Sequence, residues 1–161
     1  MGRRPQPDAP APGQRALRIL ARREVSEARL ARDLAAQGLD GEQIEAELAA
    51  VRKLGALDDV RSAGARAQVL VEQGTHGVAG MRARLVAAGY GSQLVDGTLR
   101  AAIESTGWEE ATAARALLAT RPAPGLHRGL ARLARFLLSR GFDPETVRRV
   151  LPGLEGMEGP G

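Results

Sequence analysis

The sequence predicts an all-α protein made of three tandem three-helix repeats, expected to stack into an elongated, curved molecule. Three observations carry this. The apolar residues are mainly Leu and Ala, which favour helix, and aromatics make up only 2% of the chain. No run of alternating β-branched residues marks a strand. Five positions also recur in register along the chain.

The recurrence starts with Leu34, Gly38, Leu39, Ile44 and Leu48. Fifty-one residues on stand Leu85, Gly89, Tyr90, Val95 and Leu99, and then, at spacings of 51 or 52, Leu137, Gly141, Phe142, Val147 and Leu151. Each glycine is expected to end a helix, because it takes the left-handed conformation without a Cβ clash. The apolar residue after it packs back on the last turn, and a new helix begins. Asp40 with Gln43 three residues later reads as a capping box. Asp143 followed by Pro144 reads as an N-cap and a first-turn proline. The second copy has the weaker start Gly91-Ser92 in that place.

Two helices precede each of these. In the first copy Leu17, Leu20, Ala21 and Glu24 follow helical spacing, and Ser26 begins a middle helix with Leu30 and Leu34 inward. In the second, Ala67, Leu70 and Val71 precede a loop at 74–80, then Met81 and Leu85. In the third, Ala113, Ala114, Leu117 and Leu118 precede a Pro-rich loop at 120–125, then Leu130, Leu133 and Leu137. The predicted repeats are 14–59, 60–107 and 108–152, flanked by tails 1–13 and 153–161 that read as disordered from their Pro, Gly and charge content. A unit of about 48 residues rarely supplies a core alone, so neighbours are expected to share apolar surface.

The chain has no cysteine, which excludes disulfides, zinc–thiolate sites and cysteine nucleophiles. No stretch approaches the roughly 18 apolar residues of a membrane span, and the N-terminus lacks the apolar core of a secretory signal. A soluble cytoplasmic protein without membrane association is the default. His76 and His127 are the only histidines, and neither has metal-ligand spacing to another ligand. Gly74, Gly77 and Gly80 lack the lysine and the preceding strand of a phosphate loop and read as a connector. Asp58 and Asp59 read as caps of the helix opening the second repeat, and Trp108 as packing where the second and third repeats meet, with Glu109 and Glu110 in a first helical turn. No catalytic, metal or cofactor site is expected.

Charge is the remaining signal. The net charge is +4, and all basic residues but Lys53 are arginine. Arginine over lysine reflects either a GC-rich genome or a use in bidentate phosphate contact. Between Ala111 and Phe142 there is no Asp or Glu, but there are Arg115, Arg121, Arg128, Arg132, Arg135 and Arg140. Arg128, Arg132 and Arg135 share one helical face, opposite Leu130, Leu133, Ala134 and Leu137. In the first repeat Arg15, Arg18 and Arg22 share another, with Arg23 beside them and Arg29 and Arg32 on the next helix, while acids gather at Glu42, Glu45 and Glu47. Two readings stand: ordinary solvated faces, or surfaces for an anionic partner. Such contacts would reach phosphates or acidic protein, since aromatic residues for base stacking are few and no helix-turn-helix frame is present.

The chain resembles the RecX family of bacterial regulatory proteins. The likeness lies in Ala16 to Ser26 (A-L-R-x-L-x-x-R-E-x-S), Leu30 to Gly38, and the Leu57-Asp58-Asp59 turn. It continues in Trp108-Glu109-Glu110-Ala111 and in Arg135 to Phe142 (R-F-L-x-x-R-G-F), so that it covers about 140 residues in the family's order. The chain departs from the family pattern at Val60-Arg61-Ser62-Ala63 and at Glu72–Gly77, where a basic loop is usual. The resemblance implies a non-enzymatic protein that binds the RecA nucleoprotein filament in its groove. It further implies inhibition of RecA's ATPase, strand-exchange and coprotease activities, and non-specific binding of single- or double-stranded DNA. A monomer is expected, gripping through the basic outer repeats while the middle one spans. The alternative is a DNA-binding accessory protein or helical scaffold acting without RecA.

Overall fold

The computed structural model describes residues 10–121 and 128–152, without the side chain of Arg128. The tail 153–161, most of the N-terminal tail, and His127 with most of the Pro-rich loop lie outside the described residues. Among the described residues there are nine α-helices and no strand. They are α1 (Gln14–Leu20), α2 (Glu27–Ala36), α3 (Gly41–Lys53), α4 (Asp59–Gln73), α5 (Val78–Ala87), α6 (Ser92–Thr106), α7 (Glu110–Ala119), α8 (Arg128–Ser139) and α9 (Pro144–Val150). The chain divides into two compact units, Met1–Ser62 with Ala88–Tyr90, and Ala63–Ala87 with Gly91–Gly161.

The glycine turns form as the recurrence predicts. Gly38, Gly89 and Gly141 have φ of +87°, +99° and +74° and separate α2 from α3, α5 from α6, and α8 from α9. In the first and third, the apolar residue after glycine donates its N–H back into the helix: Leu39 to the Leu34 carbonyl at 3.4 Å and Phe142 to the Leu137 carbonyl at 3.2 Å. This closes the helix in the Schellman manner. The following helices start as read. Asp40 and Gln43 form the reciprocal capping box, and Asp143 accepts from the N–H groups of Glu145 and Thr146. Gly91 caps α6 without a side-chain bond. Of the recurring apolar positions only Ile44 is half-buried, and the rest are buried.

In the first unit the core gathers Ala16, Val25, Leu30, Leu34, Leu39, Leu48, Val51 and Leu57. Three details depart from the sequence reading. Helix α1 ends at Leu20, because the chain must reach an extended Ser26 (φ −69°, ψ 158°) that caps α2. Ala16, not Leu17, is its fully buried residue, and Leu17 is exposed. Glu47, read as one of a group of acids, is buried, and its carboxylate accepts from the Ala16 N–H at 3.0 Å. That satisfies an otherwise orphaned donor in the first turn of α1. The start of α2 is tied down similarly: Asp59 accepts from the Glu27 N–H at 2.9 Å. Burial raises the Asp59 pKa above its ordinary value, while a hydrogen bond from Arg52 lowers that of Glu27.

In the second unit Ala113, Ala114, Leu137, Phe142, Val147 and Leu151 form a core, with Trp108, Leu117, Leu130, Leu133, Ala134 and Phe136 partly buried against it. Here Glu110 is a two-handed cap, accepting from the Val78 N–H at 3.0 Å and the Asp143 N–H at 3.2 Å. Glu110 and Val78 lie 51 residues after Asp59 and Glu27, so one tertiary hydrogen bond recurs with the sequence repeat.

The turns dock in a recurring way too. In the first unit Ser26 Oγ donates to the Ala88 carbonyl at 2.7 Å, which brings the Gly89 turn onto the start of α2. In the second, the Gly77 N–H donates to the Arg140 carbonyl at 3.1 Å, which brings the Gly141 turn onto the start of α5. A Cβ on Gly89 would collide with Ser26 Oγ, and one on Gly141 with the backbone of Gly80. The glycines at 77 and 80 are thus a landing surface for a turn.

Candidate anion-binding surfaces

Helix α8 buries Leu137 and partly buries Leu130, Leu133 and Ala134, and its opposite side carries exposed Arg132 and Arg135. Arg121 follows the end of α7, its guanidinium carbon 3.5 Å from the centroid of the Phe136 ring. This cation–π contact holds a flexible side chain in place. Arg121, Arg132 and Arg135 line a depression of about 450 Å³ with Leu133, Phe136 and Ser139. Among the described residues no carboxylate lines it, and no ion pair involves these three arginines.

The other members of the acid-free window behave differently. Arg140 is half-buried, stands 4.8 Å from the Phe136 centroid and donates to the Thr75 carbonyl at 3.2 Å, so it is committed to packing. Arg115 is exposed on α7, outside the depression. Arg128 opens α8.

In the first unit Arg15, Arg18, Arg22 and Arg23 do converge, on a depression of about 460 Å³ lined also by Ile19, Asp33 and Gln37. They do not share a helical face: α1 ends before Arg22 and Arg23, and the turn after it brings them round. Asp33 is the residue the charge count missed. It pairs with Arg23 at 2.7 Å and with Arg29 at 3.2 Å. The Arg29 pair was legible from its four-residue spacing, but the Arg23 pair needs the turn. Arg32 donates to the Ala28 carbonyl at 3.2 Å. Arg15, Arg18 and Arg22 enter no ion pair among the described residues.

Guanidinium groups in such depressions can take oxyanions through paired N–H donors. His76 lies in the loop before α5 beside Thr75, and burial, Arg84 and Arg140 lower its pKa. Trp108 keeps its indole N–H buried without a hydrogen-bond partner among the described residues.

No family model matches the chain. Relatives that cover 85–92% of it do. The regulatory protein RecX of Leptothrix cholodnii is 37% identical over 140 residues, which cover 85% of each chain. The chain belongs to the RecX family. A RecX regulatory protein of Stenotrophomonas maltophilia is 33% identical over 92% of this chain and 90% of its own. The RecX crystal structure from Lactobacillus salivarius superposes with a TM-score of 0.68 at 12% identity, covering 88% of this chain and 92% of that one. A second RecX crystal structure gives 0.65 at 19% identity, covering 84% and 68%. The fold is therefore the RecX fold, and the chain is a regulatory protein of that family.

Proposed function

We propose that this RecX family member binds the RecA nucleoprotein filament in the cytoplasm and lowers its ATPase and recombinase activity, acting by occupancy and not by catalysis. The observation that carries this reading is the relatedness to RecX regulatory proteins along 85–92% of the chain. The acid-free depression of Arg121, Arg132 and Arg135 supplies the phosphate-facing chemistry such a filament needs. Sedimenting RecA assembled on single-stranded DNA tests the reading: the protein is expected in the pellet with the filament. Its retention in the supernatant at every ratio would contradict the proposal.

A second reading has its own support. The same depression suits phosphates of DNA without RecA, and the arginines that line it contact phosphates without selecting a base sequence. Fluorescence anisotropy against salt separates the two. Binding to bare DNA that disappears by about 100 mM salt is only non-specific electrostatics. Binding that survives, with no filament association, favours the second reading.

A further inference from the structure

Two of the three glycine turns are occupied in the same manner. The carbonyl before the glycine accepts a hydrogen bond from the residue capping a helix: Ala88 from the Ser26 hydroxyl, Arg140 from the Gly77 N–H. The glycine itself lies against the start of that helix, where a Cβ would collide. The remaining turn, at Gly38, is open. Among the described residues no atom beyond its chain neighbours lies within 4 Å of where a Cβ on Gly38 would stand, and Gln37, which occupies the place of Ala88 and Arg140, is exposed. Gln37 also lines the depression that holds Arg15, Arg18 and Arg22.

We propose that the Gly38 turn is a docking surface for the first turn of a helix in a partner protein, one whose opening residues carry Asp or Glu. The Gln37 carbonyl then accepts from the partner's N-cap residue, as Ala88 and Arg140 do from Ser26 and Gly77. First helical turns favour carboxylates because of the helix dipole, and α2, which receives the Gly89 turn, begins with Glu27. The arginines beside Gln37 are placed to pair with such carboxylates. A phosphate backbone fits less well. It brings oxygen acceptors but no donor for the Gln37 carbonyl, and the Asp33 carboxylate sits in the same depression. This goes beyond the filament reading, since it fixes a recognition chemistry for any protein partner and is tested without RecA.

The test is an amide-resolved NMR titration of the full chain. The probe is a synthetic Ala- and Gln-rich helical peptide opening Ser-Pro-Glu-Glu; the control has both glutamates moved to its last turn. The acidic-start peptide is expected to shift the amides of Gln37, Gly38 and Leu39, and the control to leave them in place. Gly38→Asn tolerates the left-handed φ but fills the open space, so it should abolish the shifts. Core amides of Leu48 and Val51 at unchanged positions would show that this variant is folded. The surface variant Arg15→Ala/Arg18→Ala/Arg22→Ala should weaken the peptide by about tenfold, as loss of exposed ion pairs predicts. Equal shifts from both peptides, no shift from either, or undiminished binding by a folded Gly38→Asn would each overturn the proposal. So would a single-stranded oligothymidylate that shifts these amides when the peptide does not.

Discussion

Ser26 shows how much one side chain carries here. Its hydroxyl oxygen accepts from the Arg29 N–H at 3.3 Å, capping α2, and its O–H donates to the Ala88 carbonyl, although it is itself only 1% exposed. Ser26→Ala is expected to cost about 1–3 kcal/mol, from a lost cap and a partly buried carbonyl left without its partner. Urea unfolding measures this, as a lower midpoint at unchanged slope. The cap was legible in the sequence because it is local, but the second bond was not, because Ala88 lies 62 residues away. Glu47 hid for the same reason: its partner, Ala16, is on another helix. His76 makes a pH prediction. Burial, then Arg84 and Arg140, hold its folded pKa below the unfolded value of about 6.5. The unfolded chain therefore binds the proton more tightly. The neutral ring's contribution to stability is complete above about pH 6.5 and is lost as pH falls through the lowered folded value. His76→Gln should flatten that part of a stability–pH profile, and an unchanged profile would show the ring plays no part.

At the scale of elements, the recurring turn makes a comparison that local sequence could not. Gly38, Gly89 and Gly141 look alike as helix terminators, and all three adopt positive φ. Their surroundings differ. Gly38→Ala meets only left-handed strain, about 1–2 kcal/mol. Gly141→Ala adds a collision with the Gly80 backbone and is expected to cost about 1–3 kcal/mol more. Equal losses in thermal or urea unfolding would contradict the docking geometry. Glu110→Ala strands the Val78 and Asp143 N–H groups and should cost about 1–2 kcal/mol, with amide exchange quickened at the starts of α5 and α9. The identity and order of the helices were legible from apolar spacing, caps and glycines. The early end of α1 was not, since no proline or glycine follows Leu20 and the break is imposed by the tertiary placement of Ser26.

For the molecule as a whole, the proposed filament reading rests on family and on the arginine surfaces. No helix among the described residues is long and apolar enough to cross a membrane. Family membership was legible from the order of short motifs, none of them specific alone. The arginine surfaces were legible as a deficit of acids and as helical faces. The sequence could not tell Arg121, held over Phe136 at an open depression, from Arg140, turned inward to the Thr75 carbonyl. Replacing Arg121, Arg132 and Arg135 by Ala should lower the slope of log affinity against log salt, by about one for each phosphate these arginines neutralise. The filament reading stands or falls on RecA ATP hydrolysis on single-stranded DNA, followed while this protein is titrated in. A progressive fall in the rate is expected, with the triple variant needing about tenfold more protein for the same effect. A rate that stays constant across the titration, with folded wild-type protein in excess over RecA, would contradict it.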